Sequence, residues 1–391
     1  MNILIVYHRP PIPTSGGIAK ITSTLVNNLR ETGHKVWIMC YKNQNLKNSV
    51  SGLISVEFEE SSSIEDKTKI VHDICLEKAI EIIIDQEPID AYWVHQVLSN
   101  LKQIYNFKLI SCFHNPIISQ VRNIHYRKGY YLKKSHLAWI QTLLEKSIVR
   151  KLLLVAYCKK YRTKYQNIVN NSDKIVVLCK GMKEELLCMI NRTNSDKVCV
   201  IPNFCDFENF TLKENEKKNL MIWCGNINFD IKRVDIAIQV WSKIESRLPG
   251  WNFIILGDGR EMQEAQELIK SYNLKKCYIV GRKNPVDYYK KANFTLVTSS
   301  FESFSLVTLE SQCFGSIPIV FNTFPAASIL IDSQNGVLVE PYDVDKCADQ
   351  IYDLAINKRA QCLMAAHAIE QSKKFSPERI CTMWIDLLKG I

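Results

Sequence analysis

Apolar and polar positions along the chain predict a repeating strand–helix rhythm. Near the start, "ILIVY" (residues 3–7) is an unbroken apolar run, the pattern of a strand covered on both faces in a parallel sheet. A loop of Pro, Ser and Gly follows, and apolar side chains then recur at Ile18, Ile21, Leu25 and Leu29 with helical spacing. Gly33 closes that helix and 36–40 is the next apolar run, so the opening reads as a βαβ unit. Runs at 91–94, 109–113 and 174–178 predict further strands. The stretch 207–219, with "KENEKKN" at its end, is polar and reads as a linker. The rhythm then restarts: "LMIWCGNINFDIKRVDIAIQVW" is strand, loop, helix. "WNFIILGDG", "CYIVGR", "FTLVTSS" and "IPIVFN" are further strands, and the tail "FSPERICTMWIDLLKGI" is an amphipathic helix. Two restarting βα series imply an α/β protein of two doubly wound domains, 1–206 and 220–375, with a helix at 376–391. Ligands of such sheets bind at the carboxyl ends of the strands, so the site is expected in the cleft between the domains.

Length agrees: 391 residues exceed one ordinary core, and two domains of about 150–200 residues are expected. Fourteen cysteines occur singly, with no C-x-x-C pair, which argues against a zinc site and for free thiols in a reducing cytosol. The first apolar run is too short for the core of a signal peptide, and no run approaches the ~18–20 residues of a membrane span.

Net charge is +10, and its location changes the picture. Between Arg122 and Lys164 stand twelve Lys or Arg and one acid, Glu145, so this segment carries +11 and the rest is nearly neutral. Tyr126, Tyr130, Tyr131, Trp139, Leu143, Leu152, Leu153, Leu154 and Tyr157 interleave with the charge. A basic amphipathic surface of this kind attracts anionic lipid head groups, so peripheral membrane contact through 122–164 is expected. No nucleic-acid module accompanies the patch, and nucleic acid is not an expected partner.

Candidate chemistry concentrates in "FESFSLVTLE", residues 301–310. Here 301–304 reads as the loop after a strand and 306–314 as the next helix. The amides of Phe304, Ser305 and Leu306 then become donors at a helix start, a ready anion site. Ser303 or Ser305 is suited to cap it. Glu310 lies one turn in, its side chain leaning back toward the helix start. Glu302 stands in the loop. Two carboxylates bracketing an anion site describe a pocket for a sugar, a diphosphate and a ribose; a capped surface helix with two solvated acids explains the same spacing. Asp343-Val344-Asp345 has the look of a metal motif but is better explained by Asp343 capping a helix. Gly257, Asp258 and Gly259 read as a strand-to-helix turn. His95 reads most simply as structural.

The segment 302–310 resembles the E-x7-E element of retaining glycosyltransferases of family 4, which have the GT-B fold. The similarity runs through "ILGDGREMQEAQELIKSYNLKKCYIVGRKNPVDYYKKANFTLVTSSFESFSLVTLESQCFGSIPIVFN", "NGVLVEP", "VIPNFCD" and "SGGIAK". It implies two Rossmann-like domains, the C-terminal helix packing back on the first. It assigns Glu302 to hydroxyls of the transferred sugar, the backbone of 303–305 to the sugar and distal phosphate, and Glu310 to the ribose. Lys232 matches the lysine on the diphosphate, with Arg233 able to assist. Asn226 stands where the family usually has arginine, and supplies no charge to the phosphate clamp. Gly16 and Gly17 match the glycine-rich loop near the distal phosphate and acceptor. His114 matches a histidine near the transferred sugar.

The expected function is therefore transfer of a hexose, with retention and without metal or other cofactor, from a UDP- or GDP-sugar to a glycan or lipid-linked acceptor. Surface-polysaccharide synthesis is the expected setting, in the cytoplasm or on the inner membrane face. A nucleotide-sugar epimerase of the same architecture and a non-catalytic sugar-nucleotide-binding protein are the alternatives.

Overall fold

The computed structural model describes residues 1–42, 50–59, 61–127, 138–205 and 217–391. The expected linker lies outside them except for Lys217, Lys218 and Asn219, and so do Lys128, Tyr130, Tyr131, Lys133 and Lys134 of the basic segment. The chain divides into two compact units. The first holds 1–117, 156–204 and 377–391, the second 118–155 and 205–376.

In the first unit, strands β1 (Asn2–Val6), β2 (Lys35–Cys40), β3 (Leu53–Ser55), β4 (Ile82–Asp85), β5 (Lys108–Phe113), β6 (Lys174–Val177) and β7 (Val198–Val200) form one sheet. Its order is β3-β2-β1-β4-β5-β6-β7 and each described pairing is parallel. The helix Gly17–Glu31 buries Ile21, Leu25 and Leu29 of the stripe its spacing predicts, with Ala19 and Val26 beside them, and leaves Ile18 half-buried. The C-terminal helix Pro377–Lys389 packs against it within this unit, through a face that includes Ile380, Trp384 and Leu388.

One expected strand is corrected. Residues 91–94 begin the helix Tyr92–Leu101, whose buried Val94, Val97, Leu98 and Leu101 follow a helical period. The strand at this point of the chain is β4, "IIID", buried along its whole length between β1 and β5. Its run is only four residues, and Pro88 soon ends the extended stretch.

In the second unit, β8 (Leu220–Cys224), β9 (Asn252–Leu256), β10 (Cys277–Ile279), β11 (Phe294–Val297), β12 (Ile317–Phe321) and β13 (Val337–Val339) make a second parallel sheet, ordered β10-β9-β8-β11-β12-β13. Its core joins Trp223, Trp241, Trp251, Phe253, Phe294 and Phe321. The expected boundary at 206 differs in one stretch: 118–155 belongs to this second unit. Its first part is tied there by polar contacts. The Asn123 amide, buried, donates to the carbonyls of Ser300 and Thr323, and Arg127 forks onto Asp230 at 3.0 and 2.7 Å.

The turn 257–259 backs directly onto the loop after β8. The Ile227 amide donates to the Asp258 carbonyl at 2.9 Å. A Cβ on Gly259 would stand 2.2 Å from the Ile227 carbonyl oxygen, and one on Gly257 1.8 Å from that of Gly225. No side chain fits there without moving backbone. Gly259→Ala is therefore expected to cost about 2 kcal/mol or more. Gly281→Ala, where φ is +72° but the space is open, should cost about 1 kcal/mol. Denaturant unfolding of the two variants measures the difference; equal losses would refute the close approach as the governing constraint.

Candidate functional site

In the second sheet the strand order reverses between β8 and β11, and these neighbours send their following loops to the same rim. A polar stitch fixes the two loops together. Trp223 Nε1 donates to Thr298 Oγ1 at 3.0 Å, and that hydroxyl donates onward to the carbonyls of Lys232 and Arg233 at 2.9 and 2.8 Å. The Ser300 amide donates to the Ile231 carbonyl at 2.7 Å, and Ser300 Oγ to that of Asp230 at 2.9 Å. Asn228 shapes the β8 loop from within: its Oδ1 accepts from the amides of Ile231 and Lys232 at 2.7 and 2.8 Å.

The stitch brings together two side chains seventy positions apart. The Lys232 ammonium is ion-paired with Glu302, and Ser299 Oγ donates to the same carboxylate oxygen at 2.8 Å. Both remain partly open, with side-chain exposures of 27% and 16%. Beside them the helix Leu306–Cys313 begins. Ser305 sits at its N-cap position with φ +64°, but its hydroxyl bonds Thr308 Oγ1 at 2.8 Å and makes no cap bond. This corrects the expected serine cap, and the cap side chain leaves the first-turn amides to other acceptors. Phe304 is buried, its ring edge-on to that of Phe375. Glu310 is half-buried, one turn into the helix. Ser303 and Leu306 are also half-buried.

Arg233 is a second correction. Its guanidinium is buried, forks onto Asp235 at 2.9 and 2.9 Å, donates to the Tyr126 carbonyl, and lies 4.7 Å from the Tyr342 ring centre. With its fork spent on Asp235 and its side chain only 1% exposed, the guanidinium faces inward and not toward solvent. Lys232 is then the cation that the β8 loop presents. Asn226 is exposed and its Oδ1 accepts from the Asn228 amide at 3.1 Å, so it is a loop residue with a polar tip. Asp343 accepts from the Lys346 amide at 3.0 Å, an N-cap. Among the described residues no group of three His, Cys, Asp or Glu is arranged to hold a metal ion.

Gly16, Gly17 and His114 belong to the first unit. Its strand order reverses between β1 and β4, and Gly16 follows β1 with φ +125°, capping the helix Gly17–Glu31. That φ admits glycine readily and other residues at a cost. His114 directly follows β5, buried, its Nε2 hydrogen-bonded to Gln86 Oε1 at the end of β4. An amide oxygen only accepts, so Nε2 carries the proton. Burial holds this imidazole down to about 4, against the opposing field of Glu87. Beside it His8 Nδ1 pairs with Glu87 Oε2. Sequence spacing alone did not single out Gln86, Glu87 or His8; the signal was their position, just beyond the ends of adjacent parallel strands. His95 is buried on the helix Tyr92–Leu101, with Nδ1 3.6 Å from Asp85 Oδ2.

Comparison with known proteins places this geometry. Residues 15–209 match the family model described as Glycosyltransferase Family 4, and 206–375 match Glycosyl transferases group 1. An uncharacterised glycosyltransferase of Methanocaldococcus jannaschii is 25% identical over 313 residues, 74% of this chain and 83% of that protein. The amylovoran biosynthesis glycosyltransferase AmsD of Erwinia amylovora is 26% identical over 227 residues, 56% of this chain but only 62% of its own. The crystal structure of Anabaena HepE in complex with UDP-glucose superposes with a TM-score of 0.73 at 13% identity, covering 100% of both chains.

His114 gives a pH-dependent test. The unfolded chain takes up a proton at this site as pH falls through 6.5, whereas the folded imidazole does so only near 4. Stability is therefore lost as pH falls between these values, by a share on the order of 3 kcal/mol, and this share is constant above them. His114→Gln should lose less stability than the parent between pH 6.5 and 4 in denaturant titrations. Parallel curves for the two proteins would refute a neutral, buried imidazole.

Proposed function

We propose that this chain, which belongs to the GT-B glycosyltransferases with a family 4 and a group 1 domain, transfers a hexose with retention from a nucleoside-diphosphate sugar to a glycan or lipid-linked acceptor. The observation that carries this reading is the meeting of Lys232 and Glu302 at the strand-order reversal beside the start of the helix Leu306–Cys313. On arrival of the donor, the ammonium exchanges the carboxylate for the diphosphate, and the helix amides and dipole add to its hold. Glu302, released, accepts hydrogen bonds from sugar hydroxyls. Glu310 accepts from the ribose diol.

In the reaction the bond between the anomeric carbon and the phosphate oxygen breaks, and the electron pair stays on the diphosphate. Lys232 and the helix start stabilise that growing charge. The acceptor oxygen attacks the same face, and its proton passes to the leaving phosphate oxygen. Proton and electron pair thus balance without a protein nucleophile. No metal is assigned a role. The neutral His114 and the glycines Gly16 and Gly17 are read as contacts to the sugar and the distal phosphate. HepE, solved with UDP-glucose, supports a uridine donor as the first to try, and AmsD supports a polysaccharide setting.

A membrane-surface acceptor is supported by the helix Ser147–Asn171. Ile148, Leu152 and Val155 are 67%, 66% and 65% exposed, spaced four and three positions apart on one face, with exposed Lys151 and Lys159 nearby. Among the described residues no helix is long and apolar enough to cross a membrane.

Two measurements test these readings. Glu302→Ala should lower transfer by about 100-fold or more while the protein still binds the nucleoside diphosphate and unfolds at the parent's temperature. Unchanged turnover in a UDP-sugar and GDP-sugar screen would defeat the site assignment. Replacing Ile148, Leu152 and Val155 together by Ser should abolish co-sedimentation with phosphatidylglycerol vesicles and leave hydrolysis of the donor intact. Equal sedimentation of parent and variant would remove the membrane part of the proposal.

A further inference from the structure

Tyr289 ends the short helix Val286–Tyr289, ahead of β11, and is fully buried. It is no part of the E-x7-E element, yet its hydroxyl donates to Glu310 Oε2 at 3.2 Å. We infer that Tyr289 is a positioning residue for the nucleotide: its buried hydroxyl fixes the Glu310 carboxylate in the orientation that receives the ribose diol. The inference rests on the ribose assignment of Glu310 proposed above and extends it to a residue that never touches the ligand.

Three observations make the tyrosine a rigid support. Its ring stacks on Phe314, with centroids 6.2 Å apart and planes 8° from parallel. Its backbone is tied to the same region: the Lys217 ammonium donates to the carbonyls of Tyr289, Ala292 and Phe314 at 3.0, 2.7 and 2.8 Å. One half-buried lysine thereby joins the end of the tyrosine's helix to the residue that follows the helix of Glu310. Burial and the neighbouring Cys224 and Glu310 also push the phenol well above its usual range, so it stays protonated and remains a donor.

A glutamate near a protein surface rotates about its side-chain bonds, and a ligand that needs one orientation must freeze that motion. A donor anchored on both ring and backbone has already restricted it. The tyrosine's contribution should then appear in nucleotide affinity, and only through the ribose hydroxyls.

The test is calorimetric titration of the full chain with UDP, GDP and their 2′,3′-dideoxy counterparts. Tyr289→Phe should weaken the nucleotide that binds the parent by about threefold to tenfold and leave the dideoxy form bound as in the parent. In a Glu310→Ala background, Tyr289→Phe should have no further effect. Equal weakening of the ribo and dideoxy forms would overturn the inference, because a general packing defect predicts that result. So would an unaltered affinity in Tyr289→Phe alongside a loss in Glu310→Ala, which leaves the ribose assignment standing. If Glu310→Ala binds as the parent does, or the parent binds neither nucleotide, the assignment falls and the inference falls with it.

Discussion

The site depends on a hydrogen-bonded stitch between two loops. A parallel sheet whose order reverses between β8 and β11 delivers both loops to one rim, but loops are free to diverge. Thr298 and Ser300, directly after β11, close that freedom by donating to the carbonyls of residues 230–233. The acceptors are backbone, so their geometry constrains the path of the chain whatever the side chains do. Trp223, at the base of the β8 loop, donates to the Thr298 hydroxyl and orients it. Every further property of the rim, including the meeting of Lys232 with Glu302, follows from that closure.

Charge is distributed over this frame by a simple physical rule: a desolvated ion keeps a partner. Arg233 lies on the inner side of the β8 loop and is matched by Asp235, the Tyr126 carbonyl and the Tyr342 ring. Lys232, one residue earlier, points to the rim and pairs with Glu302. The latter pair is partly open to solvent, unlike the Arg233–Asp235 pair, which is closed off from it. Two adjacent cations thus have opposite fates, one enclosed and one partly open to solvent. The stretch around Asn123 and Arg127 belongs to the same economy, because it supplies the amide and guanidinium that hold Ser300, Thr323 and Asp230. In the first unit the imidazole at the strand ends is neutral although the Glu87 carboxylate acts on it. Burial keeps the His114 imidazole uncharged, and its proton is held on Nε2 by Gln86.

Much of this was legible in the sequence. Continuous apolar runs and helical spacing are local properties, and they gave two parallel α/β sheets and most strand positions. The spacing of Glu302 and Glu310 around a helix start is equally local, whereas Lys232 was singled out only by the family resemblance. Three strands escaped these patterns: the short β3 and β13 were not read, and β4 stands in place of 91–94, where two short apolar runs competed and pairing with β1 and β5 decided between them.

What only the tertiary structure decided is the fate of individual side chains. Lys232 and Arg233 are equivalent in sequence; the side of the loop each occupies is set by Asp235, Tyr126 and Tyr342. Ser305 looks like a cap and bonds Thr308 instead, because its backbone adopts φ +64°. Asn123 and Tyr289 carry no motif, and matter through partners far away in the chain. Periodicity is written into neighbouring residues, whereas a hydrogen-bond partner is chosen by whatever distant segment the fold brings within about 3 Å. The sequence therefore determined the architecture and the kinds of groups at the rim, and folding determined which of those groups are enclosed and which stay open to solvent.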